Sequence, residues 1–154
     1  METVIGIDID SIELKNAKVY LKQTANVSLS QQSAKQTAFP NKTFDAVITV
    51  GNTFGNLGDE KENILREMIR LLKNDGWLFI SVFAKDATSE RIAAYRKIGL
   101  DINRVVDGRI LFSDGYVSEG FEENQLKKLF RQYDLESKIV RVGSIGLCAT
   151  LRRK

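Results

Sequence analysis

Val4-Ile5-Gly6-Ile7-Asp8-Ile9-Asp10, Phe44-Asp45-Ala46-Val47-Ile48-Thr49-Val50-Gly51-Asn52-Thr53 and Leu71-Leu72-Lys73-Asn74-Asp75-Gly76-Trp77-Leu78-Phe79-Ile80-Ser81 are the stretches that decide the fold. Residues 3–9 are apolar and β-branched, which suits a strand buried on both faces. Asp10-Ser11-Ile12-Glu13 reads as a capping box, Asp10 accepting from first-turn amides and Glu13 reaching back. The helix it opens, to about Leu21, is expected to bury Ile12, Ala17, Tyr20 and Leu21. A weak, polar strand at 26–31 and a turn at Phe39-Pro40-Asn41-Lys42-Thr43 lead into the strong strand 44–50. Beyond a loop from Gly51 to Gly58, residues 59–73 carry Ile64, Leu65, Met68, Leu71 and Leu72 at helical spacing, and Asn74-Asp75-Gly76 stops that helix with a left-handed glycine. Trp77 to Phe83 is another buried strand, with Trp77 in the core. This βαβα alternation predicts an α/β fold with a mostly parallel sheet covered by helices on both faces.

The second half changes character. A short helix over 89–98 places Ile92, Tyr95 and Ile98 inward, and Arg109–Phe112 and Tyr116–Ser118 flank Ser113-Asp114-Gly115 as a hairpin. A helix over 122–132 buries Leu126, Leu129 and Phe130. Residues 138–142 and 145–151 then form a terminal antiparallel hairpin around Gly143-Ser144, within which Cys148 is a small core residue.

A chain of 154 residues fits one domain, 1–154, with an inserted hairpin near 108–120. No apolar run approaches the roughly 20 residues that span a bilayer, so no membrane partner is expected. The single cysteine rules out an internal disulfide, and no signal peptide is visible; both fit a cytoplasmic location. With 23 basic and 20 acidic residues, the only dense basic cluster is Arg152-Arg153-Lys154, a solvated terminus. A basic stripe with stacking aromatics is missing, and no nucleic-acid partner is expected. The chain has no histidine, which removes His-based triads, His metal sites and an imidazole base, and no metal site is expected.

The order and spacing of the three landmarks resemble the class I S-adenosylmethionine (SAM) dependent methyltransferases, and the resemblance runs from Val4 to Leu151. In that family a strand and a G-x-G-x-G loop precede the first landmark, so the resemblance implies a Rossmann-like sheet that is N-terminally truncated. The family's first strand lies between those corresponding to 3–9 and 44–50. The expectation is therefore that these two strands pair directly, or accept a strand from a second copy in a homodimer or strand exchange, because exposed edges are rarely left open. Without the glycine loop, SAM binding is expected to be on the order of 100 μM or weaker, with turnover undetectable.

Asp8, a carboxylate at the carboxyl end of a parallel strand, is placed to accept from both ribose hydroxyls of a nucleotide. The resemblance implies that Ile9 packs on the adenine, and that Ser33-Ala34 stand where the family has an acid and a small residue near the adenine amino group. It also implies that Val50-Gly51 and then Asn52-Thr53 meet the methionine part of SAM and the methyl acceptor; Gly-Asn-Thr-Phe resembles small-molecule N-methyltransferases. The three glycines 51, 55 and 58 admit a second reading, an anion cradle of backbone amides, though they match neither the P-loop nor G-x-G-x-x-G. Tyr116 and Phe112 are candidates to cap an acceptor pocket. Methyl transfer suits a chain without histidine, since the sulfonium is already activated and the protein's work is positioning. The expected function is a SAM-dependent methyltransferase acting on a small molecule; the alternative is a catalytically silent methyltransferase-like domain serving as a subunit.

Overall fold

In the computed structural model, residues 3–154 are described, and the chain forms two compact units that divide after Pro40. The first unit holds β1 (Val4–Asp8), α1 (Ser11–Tyr20) and β2 (Val27–Gln31). The strands pair in parallel and in register, from Val4 opposite Val27 to Asp8 opposite Gln31. Asp10 caps α1 as its residue type predicts, its side chain accepting from the Ile12 amide at 2.7 Å. The buried face differs from the expected one. Leu14 is the residue α1 buries, while Ile12 and Tyr20 stand 63% and 88% exposed. Residues Val4 to Ile7 are half-buried rather than enclosed on both faces.

The second unit is a seven-stranded sheet with three helices. Its strands are β3 (Phe44–Thr49), β4 (Leu72–Ala84), β5 (Ile102–Val106), β6 (Arg109–Phe112), β7 (Val117–Phe121), β8 (Leu135–Val142) and β9 (Gly146–Arg153). The helices are α2 (Lys61–Leu71), α3 (Thr88–Lys97) and α4 (Glu123–Arg131). The sheet is mixed, not mostly parallel: β3–β4 and β4–β7 are parallel, whereas β4–β9, β8–β9, β5–β6 and β6–β7 are antiparallel. β5 was not legible in the sequence; its partner strand β6 supplies the pairing that its polar pattern Ile-Asn-Arg-Val-Val does not advertise. Strands 44–50 and 3–9 were expected either to pair directly or to accept a strand from a second copy; in the sheets β3 pairs with β4 and β1 with β2.

β4 is the spine. One of its edges takes β9 along Leu78–Phe83; the other takes β3 along Leu72–Ile80 and then β7 at Phe83 and Ala84. Its inward residues Leu78, Ile80, Val82 and Ala84 alternate with more exposed ones and are at most 3% exposed. The helix before it ends earlier than the Asn74-Asp75-Gly76 signal suggested, because Leu72 already has extended backbone. Gly76 serves packing instead of a left-handed turn: a Cβ there would lie 2.8 Å from the Asp45 carbonyl. Trp77 is 42% exposed, not core, and carries the Arg152 guanidinium 5.7 Å from its ring. Arg152 also pairs with Glu136 and Arg153 donates to the Ile69 carbonyl, so the basic end is tied to the fold more than a solvated tail would be.

The terminal hairpin is as expected, with Gly143 at φ 59° in its turn. Arg141 on β8 grips Asp86, donating to both carboxylate oxygens at 3.0 and 2.7 Å. Those hydrogen bonds hold the Asp86 carboxyl below the usual aspartate range, with the Arg141 charge adding to the effect. A carboxyl lowered in the folded state stabilises above its unfolded titration and loses that contribution as pH falls through the folded one. Asp86→Asn is therefore expected to lower the melting temperature slightly at about pH 7, with the gap to wild type closing as pH falls through the lowered titration of the folded carboxyl; a gap independent of pH would contradict the linkage.

Candidate functional site

In the first unit the expected site residues gather at the carboxyl end of β1. The Asp8 carboxylate is exposed, and its Oδ1 accepts from the Asp10 amide at 2.9 Å, which fixes its direction beside the helix start. Ile9, next to it, is 69% exposed, a flat apolar surface rather than core. Gln31 donates from Nε2 to the Ile9 carbonyl at 3.0 Å, holding the ends of β1 and β2 together. Ser33 is exposed, and its hydroxyl accepts from the Lys35 amide at 3.2 Å; Ala34 is half-buried.

In the second unit the decisive residue is Asn52. It has left-handed backbone, φ 65° and ψ 14°, a conformation that asparagine tolerates better than most non-glycine residues. It sits where β3 leaves the edge of β4 and β7 arrives. Its amide donates to the Ser81 carbonyl at 3.2 Å, and its side-chain Oδ1 accepts from the Phe83 amide at 2.8 Å. Those two contacts are what a residue opposite Val82 would make in a parallel ladder, with the side-chain oxygen standing in for the main-chain carbonyl. The main-chain carbonyl is thereby released to cap the following turn, accepting from Gly55 at 2.8 Å and Asn56 at 3.1 Å. Nδ2 uses both hydrogens, on Asn56 Oδ1 at 3.0 Å and Ser118 Oγ at 3.2 Å. At 2% exposure Asn52 is a buried splice between two strands. Beside the substrate-orienting role expected of it, Asn52 thus has a structural one: Nδ2 gives both hydrogens to Asn56 and Ser118, and Oδ1 serves the Phe83 amide.

Its neighbours differ. Thr53 is exposed, with its hydroxyl donating to the Val50 carbonyl at 2.8 Å; Val50 is 59% exposed; Gly51, exposed at φ 67°, donates its amide to Ser81 Oγ at 3.0 Å. Phe54 is fully buried against Phe121, ring centroids 6.1 Å apart. The two helical turns Thr53–Asn56 and Gly58–Glu60 pass from this splice into α2. The Lys61 ammonium at the start of α2 meets the Glu119 carboxylate on β7.

Ser118 is also held from α3. Arg91, 2% exposed, donates from Nη2 to the Ser118 carbonyl at 2.6 Å and hydroxyl at 2.8 Å, and from Nη1 to the Gly108 carbonyl at 3.1 Å. Its guanidinium stacks 5.2 Å from the Phe83 ring, and its Nε is buried without a hydrogen-bond partner. Burial pushes its pKa down from the usual arginine value, partly offset by Tyr95 and Glu119. Gly120 makes room: a Cβ there would lie 2.4 Å from Arg91 Nη1. Among the described residues no cluster of three or more His, Cys, Asp or Glu could hold a metal ion.

Comparison with known proteins fits this geometry. Residues 1–76 match the model of a methyltransferase domain family. The ubiquinone/menaquinone biosynthesis C-methyltransferase UbiE of an Enterobacter species is 29% identical over 145 residues, 87% of this chain and 57% of that protein. UbiE of Salmonella arizonae is 36% identical over 95 residues, 60% of this chain and 37% of that protein. The chain is similar to the class I SAM-dependent methyltransferases, its first half matching their methyltransferase domain. It spans a little over half the length of the first of these relatives. Its fold is that of the PH0226 protein of Pyrococcus horikoshii, TM-score 0.75 at 18% identity over 99% of this chain and 74% of that one. It is likewise that of a Burkholderia thailandensis 1,6-didemethyltoxoflavin-N1-methyltransferase solved with 1,6-didemethyltoxoflavin and S-adenosylhomocysteine, TM-score 0.67 at 18% identity over 98% and 61%.

For a methyltransferase-like chain, sequence reasoning named Asp8, Ile9, Ser33 and Ala34 in one unit and Val50, Gly51, Asn52 and Thr53 in the other, and the structure keeps each set together. Tyr116 stands apart from Asn52 on the hairpin but is linked by Phe112, whose ring lies 6.1 Å from its own. Arg91, Tyr95 and Ser118 were missed as polar contributors. The available signal was the i, i+4 pair Arg91 and Tyr95, which puts a cation on the same helix face as an inward aromatic. Ile98, expected inward, is 70% exposed.

Proposed function

We propose that the chain serves SAM-dependent methyl transfer to a small molecule. The observation that carries the reading is the exposed Asp8 carboxylate, oriented by the Asp10 amide at the carboxyl end of β1 beside the exposed Ile9. Carboxylates at this end of a parallel strand suit ribose hydroxyls, and an apolar side chain beside them suits a nucleobase face. The residues of the first unit therefore fit the nucleoside end of the cofactor: Asp8 accepting from ribose hydroxyls, Ile9 packing on the adenine, and the Ser33 hydroxyl and Ala34 bordering it. When bound, SAM supplies a methyl group already activated on a sulfonium. What remains for the protein is to orient the acceptor, keep water away and leave the transferred group one path. The names of the UbiE relatives and of the toxoflavin enzyme, all acting on small molecules, support that class of acceptor.

Titration calorimetry with S-adenosylhomocysteine tests the proposal. Asp8→Ala is expected to weaken binding by roughly 10- to 100-fold, the loss of one charge-assisted contact worth about 1.5 to 3 kcal/mol, while the melting temperature stays near wild type. An unchanged dissociation constant would remove Asp8 from the site, and no measurable binding to the wild type would remove the proposal.

A further inference from the structure

β1 passes into α1 through the link Ile9-Asp10, and the carbonyls of Asp8, Ile9 and Asp10 are all engaged. The Asp8 carbonyl accepts from the Gln32 amide at 3.0 Å and the Asp10 carbonyl from the Leu14 amide at 3.1 Å, both main-chain contacts. The Ile9 carbonyl is held differently, by the side chain of Gln31, whose Nε2 donates at 3.0 Å. Gln31 is the register partner of Asp8 and ends β2. The Ile9 carbonyl and the Asp10 amide are the two ends of one peptide group, and that group is planar. Gln31 therefore holds the oxygen end of the same plane whose nitrogen end donates to Asp8 Oδ1 at 2.9 Å. Turning the plane breaks both contacts together. A donor on the carbonyl also polarises the amide behind it, which strengthens its bond to the carboxylate.

We propose that Gln31 is a positioning residue for the nucleoside end of the site: through the Ile9–Asp10 peptide it fixes the direction of the Asp8 carboxylate that accepts from the ribose hydroxyls. The proposal rests on the methyl-transfer reading above. Packing does not fix that direction, because Asp8 is exposed and Ile9 is 69% exposed. With Oδ1 held on the Asp10 amide, the carboxylate is ordered before a ligand arrives. A carboxylate free to rotate has to be ordered at each binding event, and that ordering costs affinity. Gln31 is itself exposed at the end of its strand, so removing its donor takes nothing out of the core.

The experiment uses the full chain, isotope-labelled, titrated with S-adenosylhomocysteine and followed by its amide chemical shifts. Gln31→Met keeps the length of the side chain and removes its donor. It is expected to weaken binding about fivefold and to leave the melting temperature within about 2 °C of wild type. The Asp10 amide proton is expected to move upfield as its bond to Asp8 loosens, a change at a residue that Gln31 reaches only through the shared peptide. Gln31→Glu, with an oxygen where the donor stood, is expected to do the same. In a double-mutant cycle Gln31→Met is expected to add no loss once Asp8→Ala is present, because its effect runs through that carboxylate. An unchanged dissociation constant or an unmoved Asp10 amide in both variants would overturn the proposal. So would an equal loss in the Asp8→Ala background, or a large fall in melting temperature, which would make Gln31 a folding residue. If wild type binds and the Gln31 variants match it, Gln31 loses its role and methyl transfer stands; no binding to wild type removes both.

Discussion

Replacing Asn52 with alanine is expected to lower the stability of the chain by about 3 to 5 kcal/mol. The estimate is built from what the residue holds. Its Oδ1 is the hydrogen-bond acceptor for the Phe83 amide, and its Nδ2 ties Ser118 and Asn56 to the same point. Deleting the side chain leaves a part-buried amide facing a void, at about 1 to 3 kcal/mol for each group left unpaired. Alanine at φ 65° adds about 1 kcal/mol that asparagine largely avoids. For a chain of this size the sum corresponds to a fall in melting temperature of about 10 °C or more, readable by circular dichroism. Asn52→Gly should recover the backbone part alone, and Asn52→Asp, which keeps an oxygen for Phe83 but has no donor for Ser118 or Asn56, should fall between. A fall below about 2 °C for Asn52→Ala would mean that the sheet does not depend on the splice.

How much of this was legible in the sequence follows from which interactions are local. The Asp10 cap, the helical stripe Ile64, Leu65, Met68 and Leu71, and the turn at Gly143-Ser144 depend on neighbours within a few residues, and the structure bears them out. The branching of the β4 edge depends on residues 52, 83 and 118, separated by 31 and 66 positions, and no periodicity encodes it. Asn52 was singled out for its place in the loop after a strand, but residue type and position do not say whether an amide looks outward to a ligand or inward to a sheet. Arg91 was invisible for a related reason. Sequence patterning treats a helix cation as solvated, while here three oxygens and an aromatic face replace its water. Trp77 erred in the other direction: a large aromatic in a strand reads as core, and the cation of Arg152 lets it lie at the surface.

The three glycines of the loop after β3 allow a second test, and it separates packing from anion binding. Gly51 and Gly58 have φ +67° and +56° with no atom within 4 Å of an added Cβ, so each is required for its backbone and not for space. Gly55 is the reverse. Its backbone is not left-handed, but a Cβ would stand 2.5 Å from Asn52 Oδ1, 2.6 Å from the Glu119 carbonyl and 2.7 Å from Asn52 Nδ2. Those neighbours cannot move aside: one is the main chain of β7, and the others are the amide that bridges β4 and β7. Gly55→Ala must therefore displace Asn52 or part the strands, and we expect a loss of about 3 kcal/mol or more, overpacking added to the broken bridge. Gly51→Ala and Gly58→Ala should each lose only about 1 kcal/mol, and Gly51→Asn less, since asparagine accepts the left-handed region. An anion cradle would behave otherwise, because all three amides would serve one ligand and added methyl groups would weaken phosphate binding without ranking the melting temperatures in this order. Melts of the three alanine variants with and without phosphate decide it: a dominant Gly55 effect that phosphate leaves unchanged is the expected result, and three equal losses of phosphate protection would restore the cradle.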